Sequence, residues 1–78
     1  MQKNMAIEAA FGAALKESRK RNGLSQEQLS FESGLDRSFI SLLECGRKQP
    51  SLLTLFQLAK ALKTTPSALL SETEKFCI

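Results

Sequence analysis

The stretch QEQLSFESGLDRSFISLLEC, residues 26–45, constrains this chain more than any other, because it spells two short helices around one obligatory corner. Ser25 and Gln28 form a capping box, in which the hydroxyl accepts an orphan helix N–H and the amide reaches back to the N–H of the cap. The box predicts a helix that starts at Gln26. Gly34 predicts its end at Ser33, since glycine enters the left-handed conformation that closes a helix without steric cost. Leu35 then plugs the corner. Asp36 is placed to cap a second helix against the positive end of its dipole, and Gly46 stops that helix after Cys45. A corner this sharp also needs a small residue inside the first helix and apolar anchors at fixed offsets, which Ser30, Ile40 and Leu43 supply.

The flanking segments continue the helical pattern. Residues 6–22 place Ile7, Phe11, Ala14, Leu15 and Ser18 on one face, Gly23 ends that helix, and Leu24 packs beneath the corner. After a loop over residues 47–49, Pro50 and Ser51 announce a fourth helix with Leu52, Leu55, Leu58, Ala59 and Leu62 as its inward stripe. Lys63 and Thr64 break it, and Thr65 with Pro66 starts a last short helix that contributes Leu69 and Leu70. The expected fold class is therefore all-α, with five helices in a single domain over residues 1–78 and a core over residues 11–70. The tail SETEKFCI shows no clear period and reads as a frayed terminus. Phe76 and Ile78 are apolar, however, and Leu53 and Phe56 fall off the inward stripe of the fourth helix, so a dimer contact is the sharper alternative.

Composition narrows the function classes. A 78-residue domain has a small core that benefits from a staple, a metal or a partner, and a homodimer is the natural remedy. With 42% hydrophobic residues the chain has enough core-forming material to exclude wholesale disorder. It has no histidine, and Cys45 and Cys77 make neither a disulfide scaffold nor a zinc spacing, so no metal or other cofactor is expected. The first residues hold no apolar run behind a basic front, and no stretch approaches a membrane span. The expected compartment is the reducing cytoplasm. Paired carboxylates and a glycine-rich phosphate loop are both missing, which argues against an enzyme and against a small-molecule substrate. The net charge of +3 is mild but clustered: Lys16, Arg19, Lys20 and Arg21 precede the corner, and Arg37, Arg47 and Lys48 surround the second motif helix. Both clusters can meet phosphate, although by themselves short basic runs are usually solvated helix faces, and it is the motif beside them that favours phosphate.

Ser30, Gly34, Leu35, Asp36, Ile40, Ser41, Leu43, Glu44, Gly46 and Pro50 follow in order the pattern of the lambda-repressor-like family of Xre, Cro and CI-type regulators. Through PSLLTLFQLAKAL the chain resembles that family over residues 11–70; a plain all-helical domain is the alternative. The resemblance implies a lambda-repressor-like helix-turn-helix domain and a transcriptional regulator, in the simplest case a repressor, located in the cytoplasm with the nucleoid. Its partners would be double-stranded operator DNA, a second copy of itself and, at a promoter, RNA polymerase. Such a homodimer meets a palindromic operator with half-sites about one helical turn apart. LDRSFIS is further similar to the controller proteins of restriction-modification systems, while phage-type repressors and general Xre regulators fit as well. A second class is an antitoxin that neutralises a partner toxin and autoregulates its operon, for which the eight-residue tail is short.

In a domain of this kind the second motif helix lies in the major groove with its early residues facing base edges. Ile40 and Leu43 turn to the core, which leaves Arg37, Ser38, Ser41 and Leu42 for DNA, with Phe39 at the margin. The planar fork of Arg37 matches guanine O6 and N7; a phosphate clamp is its other reading. Ser38 and Ser41 can donate or accept. Phe39 and Leu42 suit a thymine methyl, and Phe39 suits a roof over the core equally well. Gln26, beside the capping Ser25, stands at a helix start that favours phosphate, and Arg47, Lys48, Gln49 and Ser51 flank the other end of the reading helix. The resemblance implies that Gln26 also braces the reading helix and that a largely buried Arg19–Glu44 salt bridge ties the first helix to it. Leu69, Leu70 and Phe76 are the expected dimer contacts. Cys45 departs from the family pattern of Asn, Arg or Lys, so a phosphate contact is missing there; inert packing is expected of its thiol in preference to redox sensing.

Overall fold

A computed structural model of the chain describes residues 6–77 as five helices: α1 (Ile7–Arg21), α2 (Gln26–Ser33), α3 (Arg37–Glu44), α4 (Leu52–Ala61) and α5 (Pro66–Cys77). The capping box closes as the spacing demands, with Gln28 N–H donating to Ser25 Oγ at 3.0 Å and Ser25 N–H donating to Gln28 Oε1 at 2.8 Å. Gly34 ends α2 at a φ of 78°, in the region open to glycine. Ser51 and Thr65 cap α4 and α5 through their hydroxyls, which accept from Thr54 N–H and Ala68 N–H at 3.1 Å each. Asp36 occupies the N-cap position of α3, but its carboxylate accepts no helix N–H and takes the hydroxyl of Ser38 instead.

Every helix or its cap sends side chains into one core. Leu15, Leu29, Ile40, Leu43, Leu58, Leu62 and Leu69 are all fully buried, each such burial stabilising by about 1.5–3 kcal/mol. The central helix α1 packs along α5 and across α3, and α2 wedges between α3 and α4. The α1/α3 crossing depends on Gly12, a residue the periodicity does not single out. A Cβ built there would sit 2.4 Å from the Leu43 carbonyl oxygen and 2.7 Å from that of Glu44, so only glycine admits the end of α3 this close.

Three expectations are corrected. Ile7 and Leu52 lie on the first residue of their helices and stay 70% and 73% exposed, while Ala10 and Thr54 take the buried positions. The tail does not fray: α5 runs to Cys77, with Leu69 and Thr73 buried one helical turn apart and Phe76 half-buried. A polar residue at the inward position hides this period in the sequence, and Thr73 is tolerated there because its hydroxyl donates to the Leu69 carbonyl at 2.8 Å. Leu69 is also withdrawn as a dimer contact, since it is 1% exposed inside its own core. Residues 1–5 and Ile78 lie outside the described residues. Among those described, no helix is long and apolar enough to cross a membrane.

Candidate nucleic-acid interface

The corner between α2 and α3 is held by its small residues. Ser30 Oγ donates to the Leu35 carbonyl, Gly34 N–H donates to the Ser30 carbonyl at 2.9 Å, and Leu35 N–H donates to Ser33 Oγ at 3.2 Å. The next helix, α3, is about 12 Å long by its residue count. Ile40 and Leu43 anchor it with no exposure, Arg37 and Ser38 stand in solvent at its start, and Ser41 and Leu42 are half-buried along it. Phe39 is half-buried and packs against the core cluster, on the roofing side of its two readings. Ser38 spends its hydroxyl hydrogen on Asp36, which leaves its oxygen only an acceptor for any other partner.

Glu44, the last residue of α3, is a hub. Its Oε2 accepts from Arg19 Nε at 2.7 Å, and its Oε1 accepts from Arg19 Nη2 at 3.1 Å and from Gln26 Nε2 at 3.0 Å. Arg19 Nη1 also donates to the Leu24 carbonyl at 2.8 Å. The side chains of Arg19 and Glu44 are only 10% and 4% exposed. The hydrogen bond to Glu44 raises the pKa of Arg19 above its ordinary value; desolvation opposes this and the charge of Glu44 adds to it. A carboxylate only accepts, so the Gln26 atom facing Glu44 is its amide nitrogen, and the carbonyl oxygen of that amide faces Arg37. Arg37 Nη1 approaches it at 3.5 Å, a long contact that tethers the guanidinium weakly. A polar chain thus runs from the core through Arg19, Glu44 and Gln26 to the first residue of α3.

Two groups flank α3. At the start of α2 stand Ser25, whose hydroxyl is the cap, and Gln26, which keeps one of its two amide N–H groups free of Glu44. Beyond the end of α3, Arg47, Lys48 and Gln49 are exposed on a loop. Ser51, expected beside them as a phosphate ligand, donates its hydroxyl hydrogen to Thr54 Oγ1 at 2.9 Å while capping α4. What it leaves for an anion is the helix start itself. The first basic cluster divides: Arg19 is committed to Glu44 and Arg21 to Glu72 at 3.0 Å, while Lys16 and Lys20 stay exposed. Cys45 is exposed as the C-cap of α3, and Cys77 is half-buried; both are free thiols.

On α1, α4 and α5, Ile7, Leu52 and Leu70 line an open groove of about 240 Å³ floored by Phe11 and Leu55. Leu53 and Phe56 are exposed on α4. Sequence reasoning missed Ile7 and Leu52 as surface residues, although a position at the first residue of a helix was a readable sign. It also missed Glu8, which accepts a hydrogen bond from Gln49 Nε2 at 2.9 Å.

Comparison with known proteins agrees with this geometry. The family model described as Helix-turn-helix (HTH_3) matches residues 15–69. The chain is 39% identical over 70 residues to the control protein C.MunI of Mycoplasma sp, covering 88% of this chain and 95% of that protein. Its fold is similar to the restriction-modification controller protein C.AhdI of Aeromonas hydrophila, with 46% identity, 78% of this chain and 92% of that chain covered, and a TM-score of 0.76. It is also similar to the clp gene regulator ClgR of C. glutamicum, 27% identical with both chains fully covered and a TM-score of 0.91.

Proposed function

The chain belongs to the helix-turn-helix family HTH_3, and from that premise we propose that it is a controller-type transcription regulator that binds a palindromic operator as a homodimer. The coarser part of this statement follows from family membership: it is a DNA-binding helix-turn-helix regulator and not an enzyme. The observation that carries the finer part is the placement of α3. One face of this helix is sealed into the core by Ile40 and Leu43, and its free start presents Arg37 and Ser38 between two phosphate-attracting flanks. In this reading Arg37 reads a guanine edge, and Ser38, Ser41, Leu42 and the rim of Phe39 meet neighbouring bases. Gln26 and the start of α2 grip one phosphate stretch, and Arg47, Lys48, Gln49 and the start of α4 grip the other.

Similarity to C.MunI and C.AhdI, both named as controllers, supports a controller role over that of an antitoxin. A second copy is the partner that suits the groove of Ile7, Leu52 and Leu70, with Phe76 further along α5. Two-fold assembly of two reading helices makes the operator a palindrome with half-sites about one helical turn apart. Selection of bound duplexes from a random pool tests the reading. The expected product is a two-fold symmetric consensus with a guanine in each half-site; enrichment of no sequence contradicts it.

A further inference from the structure

The phosphate-gripping loop after α3 is held from behind by the first turn of α1, at two places. Gly46, with a φ of 75°, lies so close to α1 that a Cβ on it would stand 3.0 Å from Ala9 Cα. Three residues on, Gln49 Nε2 donates to Glu8 Oε2 at 2.9 Å, a contact that joins residues 41 positions apart. An acid in the first turn of a helix is ordinary, since the dipole favours it there. Its placement against the one neutral side chain of a basic loop is not explained by the dipole. A carboxylate accepts and never donates, so the bond fixes which way the Gln49 amide is turned: one N–H points to Glu8, and that bond leaves the nitrogen's second N–H unused.

We propose that Glu8 is a positioning residue for DNA binding, which orients the Gln49 amide as a phosphate donor and pins the loop that carries it. The proposal rests on the DNA-binding reading above and adds to it a residue outside the helix-turn-helix motif. Glu8 touches no DNA in this account. It acts through Gln49, and its negative charge near the phosphate works against binding, so the orienting bond and the charge have opposite signs and must be separated experimentally.

Two substitutions separate them. Glu8→Gln removes the charge and keeps a carbonyl that accepts from Gln49, whereas Glu8→Ala removes both. The charge effect is common to the two variants, and sedimentation confirms that they are compared in the same oligomeric state, because Glu8 and Gln49 also line the groove of Ile7, Leu52 and Leu70; the difference between them then isolates the bond. Affinity for a random duplex and for a selected operator is measured for both variants, each with Gln49 intact and with Gln49→Ala, at a temperature where circular dichroism shows all four proteins folded. The expected result is that Glu8→Ala binds every duplex about two- to tenfold more weakly than Glu8→Gln, the range of one net hydrogen bond, and that this gap closes when Gln49 is alanine. Equal affinities of the two variants overturn the proposal, and so does a gap that persists without Gln49, which marks Glu8 as a general stabiliser of α1. Failure of the unsubstituted protein to bind any duplex is a different outcome, which removes the DNA-binding reading and this proposal with it.

Discussion

Arg19 and Glu44, 25 positions apart, meet as a two-pronged ion pair in which Nε lies 2.7 Å from Oε2 and Nη2 lies 3.1 Å from Oε1. The pair is almost wholly withdrawn from water. It turns inward an acid that would otherwise stand exposed on α3, the proposed reading helix, and Gln26 bonds to the same carboxylate. Buried ion pairs contribute less to net stability than their Coulomb attraction suggests, because both ions are desolvated. Breaking one by removing a single partner is costly, because the other charge is left buried.

Glu44→Ala should therefore destabilise the fold by about 3 kcal/mol or more, since it strands the Arg19 guanidinium. Chemical denaturation measures this. A midpoint unchanged by the substitution would mean that Arg19 reaches water without its partner.

Gly12→Ala is a sharper test of the α1/α3 crossing, because helix propensity alone predicts the opposite sign. Alanine in place of glycine inside a helix normally gains about 1 kcal/mol. Here its Cβ meets backbone carbonyls that cannot rotate away, and overpacking of that kind typically costs about 1–3 kcal/mol. The expected outcome is net destabilisation with weaker operator binding, since α3 is the element displaced; a stabilised variant with unchanged affinity would refute the crossing.

Leu70 is exposed where Leu69 is not, and it lines the groove with Ile7 and Leu52. Leu70→Asp should leave the monomer folded and shift the protein from dimer to monomer in sedimentation velocity at about tens of micromolar, as a charge in a buried contact disfavours it. An unsubstituted protein that sediments only as a monomer, with and without DNA, would show that the groove is not the partner face.

Much of this molecule is written in local chemistry. Ser25 with Gln28, Gly34, Ser51 and Thr65 with Pro66 each act within a few residues of themselves, and the helix ends they imply are those observed. Features that depend on contacts between distant segments are less legible. Gly12 looks like a mild helix weakness until the α3 carbonyls are seen above it. Thr73 interrupts the apolar period of α5 because its hydroxyl is satisfied by its own helix, and so the tail reads as frayed. Glu8 and Gln49 carry no spacing signal at all. An acid on a helix meant for DNA suggests that Glu44 turns inward, but Arg19 as its partner is legible only through the family resemblance, because nothing in either residue's neighbourhood names the other.

Lys48→Ala should weaken binding to all duplexes alike and lower the slope of log affinity against log salt by about one, the mark of a single lost phosphate contact. Titration at several salt concentrations reads both effects. A loss confined to one operator position would make Lys48 a base reader.

The central claim is that the start of α3 reads sequence, and Arg37→Ala tests it most directly. Affinities of this variant and of the unsubstituted protein are compared for the selected operator, its single-base variants and a random duplex at fixed salt. The account predicts that the variant loses about 1–3 kcal/mol of discrimination at one base pair in each half-site and keeps its preferences elsewhere. An equal loss for every duplex would contradict it, showing that Arg37 only clamps phosphate.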